Sequence, residues 1–477
     1  MKKLYSICFI LCFCTNVFAQ QDFSAVTNLS GVNKTIYYRI TSTEISTVAV
    51  TYRGTTMTQY ANTYSTYIVI PPFVTQGTGA NMITYHVTSV DAGAFNGCTT
   101  LDSVVLPSSV TFIDSLAFLG CTKMTKCVLP STINFIEARA FERCTNLPEI
   151  VLPNNITKIS RGTFRDCHSL ISVTIPNMVN TISEQAFLNC KSLGEVNISS
   201  SVTKISNTAF LGCYDLTSIN VDTNNPVFMS EDGILYSYSQ DTLLFYPPKK
   251  IGIEFTTPNA VKNIADYSFS YNLYLKKINF NNSLKKIGTA AFYNSTGLSV
   301  VNISDDVNYI GDGAFYNCRN LDTIKITAIN PPELENFAFY NVPASLSLLV
   351  QCDAVEDYQN SQWGEYFYNI KGYNCTTGGT ATPDIEFAQE ENIFPNPVKD
   401  ILIINNEQLA INNVEILDLA GRVVGTNLCV RPNQQDKHIG LPLQGTTTID
   451  VSALPKGIYL VKIITNKSVI TKKIIKN

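Results

Sequence analysis

The chain is short of charge. Only 15% of its 477 residues are Asp, Glu, Lys or Arg, against roughly 25% in an average soluble protein. The signs nearly balance, 34 Lys and Arg against 38 Asp and Glu, for a net charge of −4. With no long basic run, nucleic acid is excluded as the main partner. Histidine is scarcer still. His86, His168 and His438 lie far apart in sequence, which argues against a histidine-built metal site. There is one tryptophan, Trp363. No Gly-x-x-x-x-Gly-Lys-Ser/Thr loop and no His-Glu-x-x-His pair occurs, so the common nucleotide and zinc-hydrolase signatures are missing. Beyond the N-terminus no run is apolar enough to span a bilayer. Tyrosine (24) and phenylalanine (25) are plentiful, and Ser, Thr and Asn fill the remainder. That composition suits strands and an exported protein.

Lys2 and Lys3 precede an apolar run from Leu4 to Cys14, then Thr15-Asn16-Val17-Phe18-Ala19. This reads as a secretory signal peptide over residues 1–19, cut between Ala19 and Gln20. The run is shorter than the ~20 residues that a spanning helix needs. The mature chain is expected to leave the cytoplasm and to meet a membrane only through surface anchoring.

The middle of the chain is a repeat. Phe recurs at 95, 118, 141, 164, 187 and 210, then at 269, 292, 315 and 339, ten copies in all. Other columns keep the same step. Five residues before Phe stands Val90, Ile113, Ile136 and so on to Ile310. Three after stands Cys98, Cys121, Cys144, Cys167, Cys190, Cys213 and Cys318, and six after stands Leu or Met. A short alternating strand follows, as in Val104-Val105-Leu106-Pro107. One such coil cannot close a core, but stacked coils can. The gap between Phe210 and Phe269 holds an insertion at about 222–250. Within it, Glu231 to Tyr236 and Thr242 to Tyr246 read as two hairpin strands, with a turn at Asp232-Gly233 before the first.

These columns resemble the BspA-like, Treponema-type leucine-rich repeat of bacterial surface proteins, from about Tyr85 to Leu349. The resemblance implies a mainly-β solenoid of 23-residue coils over 85–350. It also implies a β cap at 20–84, with strands at Tyr37-Tyr38, Val50-Thr51-Tyr52, Ile68-Val69-Ile70 and Tyr85-His86-Val87-Thr88. Residues 351–375, with Tyr358, Trp363, Tyr366, Phe367 and Ile370, resemble the closing segment of such arrays. Cys352 and Cys375 flank it and are expected to form a disulfide. The seven column cysteines are read as buried free thiols, because Asn272, Ser295 and Val342 fill the same slot. Cys127 and Cys429 read as single buried or semi-buried residues.

Residues 376–391 read as a linker. After it come Pro395-Asn396-Pro397, Asp400, the turn around Gly421, Gly457-Ile458-Tyr459 and a basic end that includes Lys473. Short alternating strands make 392–477 a small Ig-like β-sandwich. Order and spacing resemble the type A C-terminal sorting domain of the type IX (Por) secretion system. The resemblance implies handling by the type IX secretion machinery and a place outside the outer membrane of a Bacteroidetes-type bacterium, attached or released.

No catalytic constellation, cofactor site or metal site emerges. Cys167-His168 sits in the repeat with its thiol in the buried slot, and Glu356, Asp357 and Glu365 read as a solvated helix face. The expectation is a non-enzymatic, adhesin-like binding protein that recognises an unknown host or bacterial surface protein or glycan. Its candidate contacts are an outward valine row, Val105, Val128 and Val151, and tyrosines of the insertion, Tyr236, Tyr238 and Tyr246. The Asn197, Asn220, Asn279 and Asn302 row reads as an amide ladder. The alternatives are a structural surface component without a ligand, and a carbohydrate-binding accessory protein, whose mark would be an outward aromatic row.

Overall fold

In the computed structural model, the residues described are 22–29, 32–53, 64–375, 393–394, 401–418, 422–425, 443–465 and 469–476. They fall into two compact units, 1–379 and 380–477. The expected sites at Ala19, Gln20, Pro395, Asn396, Pro397, Asp400, Gly421 and Cys429, and the linker 376–391, lie outside the described residues.

In the first unit, most coils give one longer and one shorter strand, and like strands pair in parallel from coil to coil, in sheets that are interrupted along the stack. The longer strands follow the Leu column, for example Glu195–Ile198 beside Ser218–Val221, with Val196 opposite Ile219. The shorter ones carry the Ile column, for example Ile287 opposite Ile310. Between the sheets lies the Phe column, each ring stacked on the next at 4.8 Å for Phe95–Phe118 and 5.0 Å for Phe292–Phe315. The backbone locks this ladder. Phe118 N–H donates to the Ala140 carbonyl at 2.7 Å, and Phe292 N–H to the Ala314 carbonyl at 2.7 Å. Two residues after Phe the chain must turn with positive φ, as at Gly120 (72°), Asp166 (59°) and Asn317 (64°). Gly, Asp and Asn tolerate that geometry best.

Both ends of the ladder are covered. At the front, strands Phe23–Leu29, Val32–Ser42, Thr47–Thr51, Thr66–Val69, Phe73–Gln76 and Ile83–Val90 form the cap. Tyr64 packs on Phe95 at 4.7 Å. Arg39 clamps the buried Asp91 carboxylate through Nε at 2.7 Å and Nη2 at 2.6 Å. At the back, two short helices, Val355–Gln359 and Trp363–Tyr366, close the last coil. Trp363 and Phe367 meet Phe339 at 5.4 and 4.9 Å, and Trp363 Nε1 donates to the Pro332 carbonyl at 2.8 Å. Strand Asn369–Tyr373 extends the longer-strand sheet, and Cys352 and Cys375 are disulfide-bonded with Cα atoms 5.3 Å apart.

The insertion differs from the two-strand expectation. Its turn at Asp232-Gly233 joins strand Phe228–Glu231 to Ile234–Ser237, so Glu231 belongs to the earlier strand. A third strand, Thr242–Phe245, pairs in parallel with Asn263–Ile264 and thereby becomes a member of the shorter-strand sheet. The insertion is a septum inside the solenoid. Leu235 and Phe245 join the core of the preceding coils, while Ile234, Tyr236, Leu243 and Tyr246 join the core of the following ones. The ring ladder passes through it: Phe210 meets Phe245 edge-on at 6.0 Å, and Tyr246 stacks on Phe269 at 4.8 Å.

The second unit is antiparallel. Its long strand Ile401–Leu417 pairs first with Leu443–Asp450 and then, past a register shift, with Gly457–Thr465. Val469–Lys476, which places Lys473 opposite Leu460, lies on the far side of Gly457–Thr465. Leu402, Ile416, Ile449, Val461 and Ile474 form its core.

Each ring of the ladder is fully buried and touches two neighbours. Phe164→Ala should therefore cost about 3–5 kcal/mol, the usual range for a buried phenylalanine, measured by denaturant unfolding followed by circular dichroism. A cost below about 1 kcal/mol would contradict the stacked core.

Candidate functional site

The repeat fixes where each outward side chain sits, so the expected rows can be checked coil by coil. Val105 is half-buried, because cap strand Thr66–Val69 pairs alongside Leu101–Val105. Val128 is 38% exposed and Val151 82%. Two later members of this column, Asn197 and Asn220, have turned to each other: Asn220 Nδ2 donates to Asn197 Oδ1 at 3.3 Å. Asn302 donates likewise to Asn279. In this column the exposed apolar side chains thus belong to the early coils.

Val151 departs from the expected pattern in one respect: it is not in a strand. The longer-strand sheet stops after Lys126–Val128 and restarts at Ser172–Thr174. Pro148 explains the break. In this column Thr125, Ile171, Gly194 and Thr217 each donate their N–H to a carbonyl one coil back, at 2.8 to 3.0 Å. Proline has no N–H to give. Ile171, which donates to the Pro148 carbonyl, is 59% exposed and widens the apolar patch. Sequence reasoning missed it because it precedes the alternating strand. Its signal was an isoleucine in a column that holds Thr125, Pro148, Gly194 and Thr217 in the neighbouring coils.

The insertion tyrosines divide. Tyr238 is 61% exposed, but Tyr236 and Tyr246 are buried, so neither can act as a surface contact. The alternation was misjudged because both faces of a septum strand are covered, and neither side of it is solvent. The narrow void there, about 20 Å³ among Ile205, Phe210, Leu235, Leu244 and Phe245, has room for roughly one water and no ligand.

The column thiols are all free and buried. Each from Cys121 to Cys213, and Cys318, donates to the carbonyl of the phenylalanine one coil back, at 3.1 to 3.2 Å. Ser295 makes the same bond to Phe269 at 2.6 Å. Cys or Ser in this slot thus acts as a donor as well as a small side chain, while Asn272 and Val342 fill it without this bond. Burial raises the thiol pKa values, well above the ordinary range at Cys144 and to about 12 at Cys127. Cys167 is one of this row, and burial together with Lys191 lowers the pKa of His168. Glu356, Asp357 and Glu365 are exposed on the closing helices. Among the described residues no cluster of three or more His, Cys, Asp or Glu could hold a metal ion, and no helix is long and apolar enough to cross a membrane.

In the second unit, Tyr459 is buried and its hydroxyl donates to the Pro455 carbonyl at 2.9 Å, beside Gly457. Asp418 accepts from Arg422 N–H and Nε at 2.9 and 3.0 Å, just before strand Val423–Gly425.

Comparison with known proteins agrees with this geometry. The family model for the BspA type leucine rich repeat region matches residues 80–193, 111–231 and 245–366. The model for the secretion system C-terminal sorting domain matches 392–477. Among solved structures, a leucine rich cell surface protein of Faecalibacterium prausnitzii A2-165 is 23% identical, with a TM-score of 0.54 over 75% of this chain and 96% of its own. The pneumococcal vaccine antigen PcpA is also 23% identical, with a TM-score of 0.54 over 74% and 99%. These two share the fold. No curated protein matches the sequence.

The thiols make a pH prediction. A buried thiol with a raised pKa stabilises the fold fully below the unfolded value of about 8.5 and loses that contribution as pH climbs toward the folded value. Melting temperature should fall steeply above about pH 9. Cys144→Ser, which keeps the donor as Ser295 does, should lessen that fall by up to ~1.4 kcal/mol per pH unit. An unchanged alkaline profile in the variant would show that the thiol is not shielded.

Proposed function

This chain belongs to the BspA-type leucine rich repeat family, and on that premise we propose that it is an adhesin-like binding protein of the cell surface. Its sorting domain marks it as a secreted, surface-directed product of a Bacteroidetes-type bacterium, handled by the type IX secretion machinery. The proposed ligand is a protein or glycan on a host or bacterial surface, held on the early coils.

The observation that carries this reading is the patch of Val128, Val151 and Ile171. Three apolar side chains stand in solvent, and two of them, Val128 and Val151, lie in the column where later coils place hydrogen-bonded asparagine. The fold does not need them there, since Thr174 holds the same column one coil further on. Contiguous exposed apolar surface beside a rigid sheet is a usual mark of a contact site. Tyr238 is a second, smaller contact candidate. The buried column thiols and the dispersed acids support binding over catalysis.

The test is a binding screen of the secreted protein against matrix proteins, mucins and a glycan array. Because Val151 is so exposed, Val151→Asp should fold normally. The expected result is saturable binding, weakened at least about tenfold in Val151→Asp, the effect of ~1.4 kcal/mol, and kept in Tyr238→Ser. Binding kept by Val151→Asp and lost in Tyr238→Ser would move the site to the insertion. No saturable binding to any surface would favour a structural component without a ligand.

A further inference from the structure

The later coils carry a second surface feature that the valine patch does not include. One flank of the solenoid bears a ribbon of tyrosines. Tyr214 meets Tyr271 at 5.6 Å, Tyr271 meets Tyr293 at 5.7 Å, Tyr293 meets Tyr316 at 5.2 Å and Tyr316 meets Tyr340 at 5.0 Å. Phe337 closes on Tyr340 at 5.8 Å. Tyr340 and Phe337 are 51% and 56% exposed, and the other rings are half-buried. Beside them runs an amide ladder: Asn341 donates to Asn317 at 2.6 Å, and Asn317 donates to Asn294.

The fold does not require these rings. The column after the core Phe holds Leu119, Glu142, Arg165 and Leu188 in the early coils, and those coils stack equally well. The ribbon is also rigid before it meets anything. Its rings brace one another and its amides are cross-linked, so little side-chain entropy remains to be lost on contact. Tyrosine and asparagine together, without charge, match the composition of protein-recognising surfaces. A sugar-stacking platform fits less well. Tyr293, Tyr316 and Tyr340 lie nearly parallel, at 22° and 21°, so each ring face is covered by its neighbour and the edges remain available.

We propose that this ribbon is a homotypic contact, made with the same ribbon on a second copy of the chain. Three features select that occupant. From Tyr293 to Tyr340 the ribbon repeats at the coil spacing, and a second solenoid repeats at the same spacing. Hydroxyls and amides both donate and accept, so the surface complements itself across a two-fold axis. The two columns carry no charge from Ser270 to Asn341, so two copies meet without repulsion. Arg319, at the margin, is held by Asn317 at 2.7 Å. The ribbon is about 20 Å long, four steps of roughly the parallel-strand spacing. A stable interface buries ~800 Å² per partner, and this strip is smaller. The contact is therefore weak between isolated molecules and gains effect where many copies are displayed side by side.

Sedimentation velocity on the full secreted chain, from low to high micromolar concentration, tests this. The wild type should show a reversible rise in sedimentation coefficient with concentration. Tyr316→Asp and Tyr316→Arg should each stay monomeric, and an equal mixture of the two should associate again. Melting curves confirm that both variants fold, with Asn317→Lys as the substitute if either does not. A wild type that is monomeric throughout, association untouched by the substitutions, or no recovery in the mixture would each overturn the homotypic contact. The valine patch is read out separately by Val151→Asp, so failure here leaves the ligand reading standing.

Discussion

Everything in the solenoid depends on how one coil is held on the next around its phenylalanine. The ring stacks on the ring of the next coil. Its N–H donates to a carbonyl there, and its own carbonyl accepts the thiol of that coil. A 23-residue loop has too little apolar surface to fold alone, so stability comes from these interfaces, repeated. One consequence is geometric. Once the interface repeats, each surface column becomes a row with a spacing near 5 Å, and any residue the interface does not need is free to serve contact. The exposed valines and the flank tyrosines are such residues.

The same constraint explains what was legible in the sequence. The Phe, Ile, Cys and Leu columns could be read because every coil must satisfy the same contact. The sorting domain could be read because its short motifs come in a set order. Tyr236 could not. Its strand alternates like a surface hairpin, yet both faces are buried because the hairpin enters the core between Phe210 and Phe269. The strand at Val151 was overcalled for a local reason: Pro148 removes one ladder bond, and a column pattern does not register the loss. The thiol row was seen as small and buried, but its bond to the carbonyl one coil back needs three-dimensional register. The tyrosine ribbon was overlooked because the strands drew attention and the turn columns did not.

The functional picture follows from division of labour. The second unit carries the address, and the capped solenoid carries the surface that is displayed. A rigid ladder suits display, since it holds side chains in place before any partner arrives. The early coils offer an apolar patch at a place where the sheet is interrupted, and the later coils offer an uncharged aromatic flank. These are chemically different surfaces on one scaffold.

The claim most exposed to test is that the insertion is a septum whose strands are built into the cores on both sides of it. Native-state hydrogen exchange on Tyr236→Ala addresses it directly. The account predicts loss of protection in the coils on both sides, around Phe187 to Leu216 and around Phe269 to Phe292. Loss confined to residues 228–246 would mean that the insertion is a surface hairpin and not a septum.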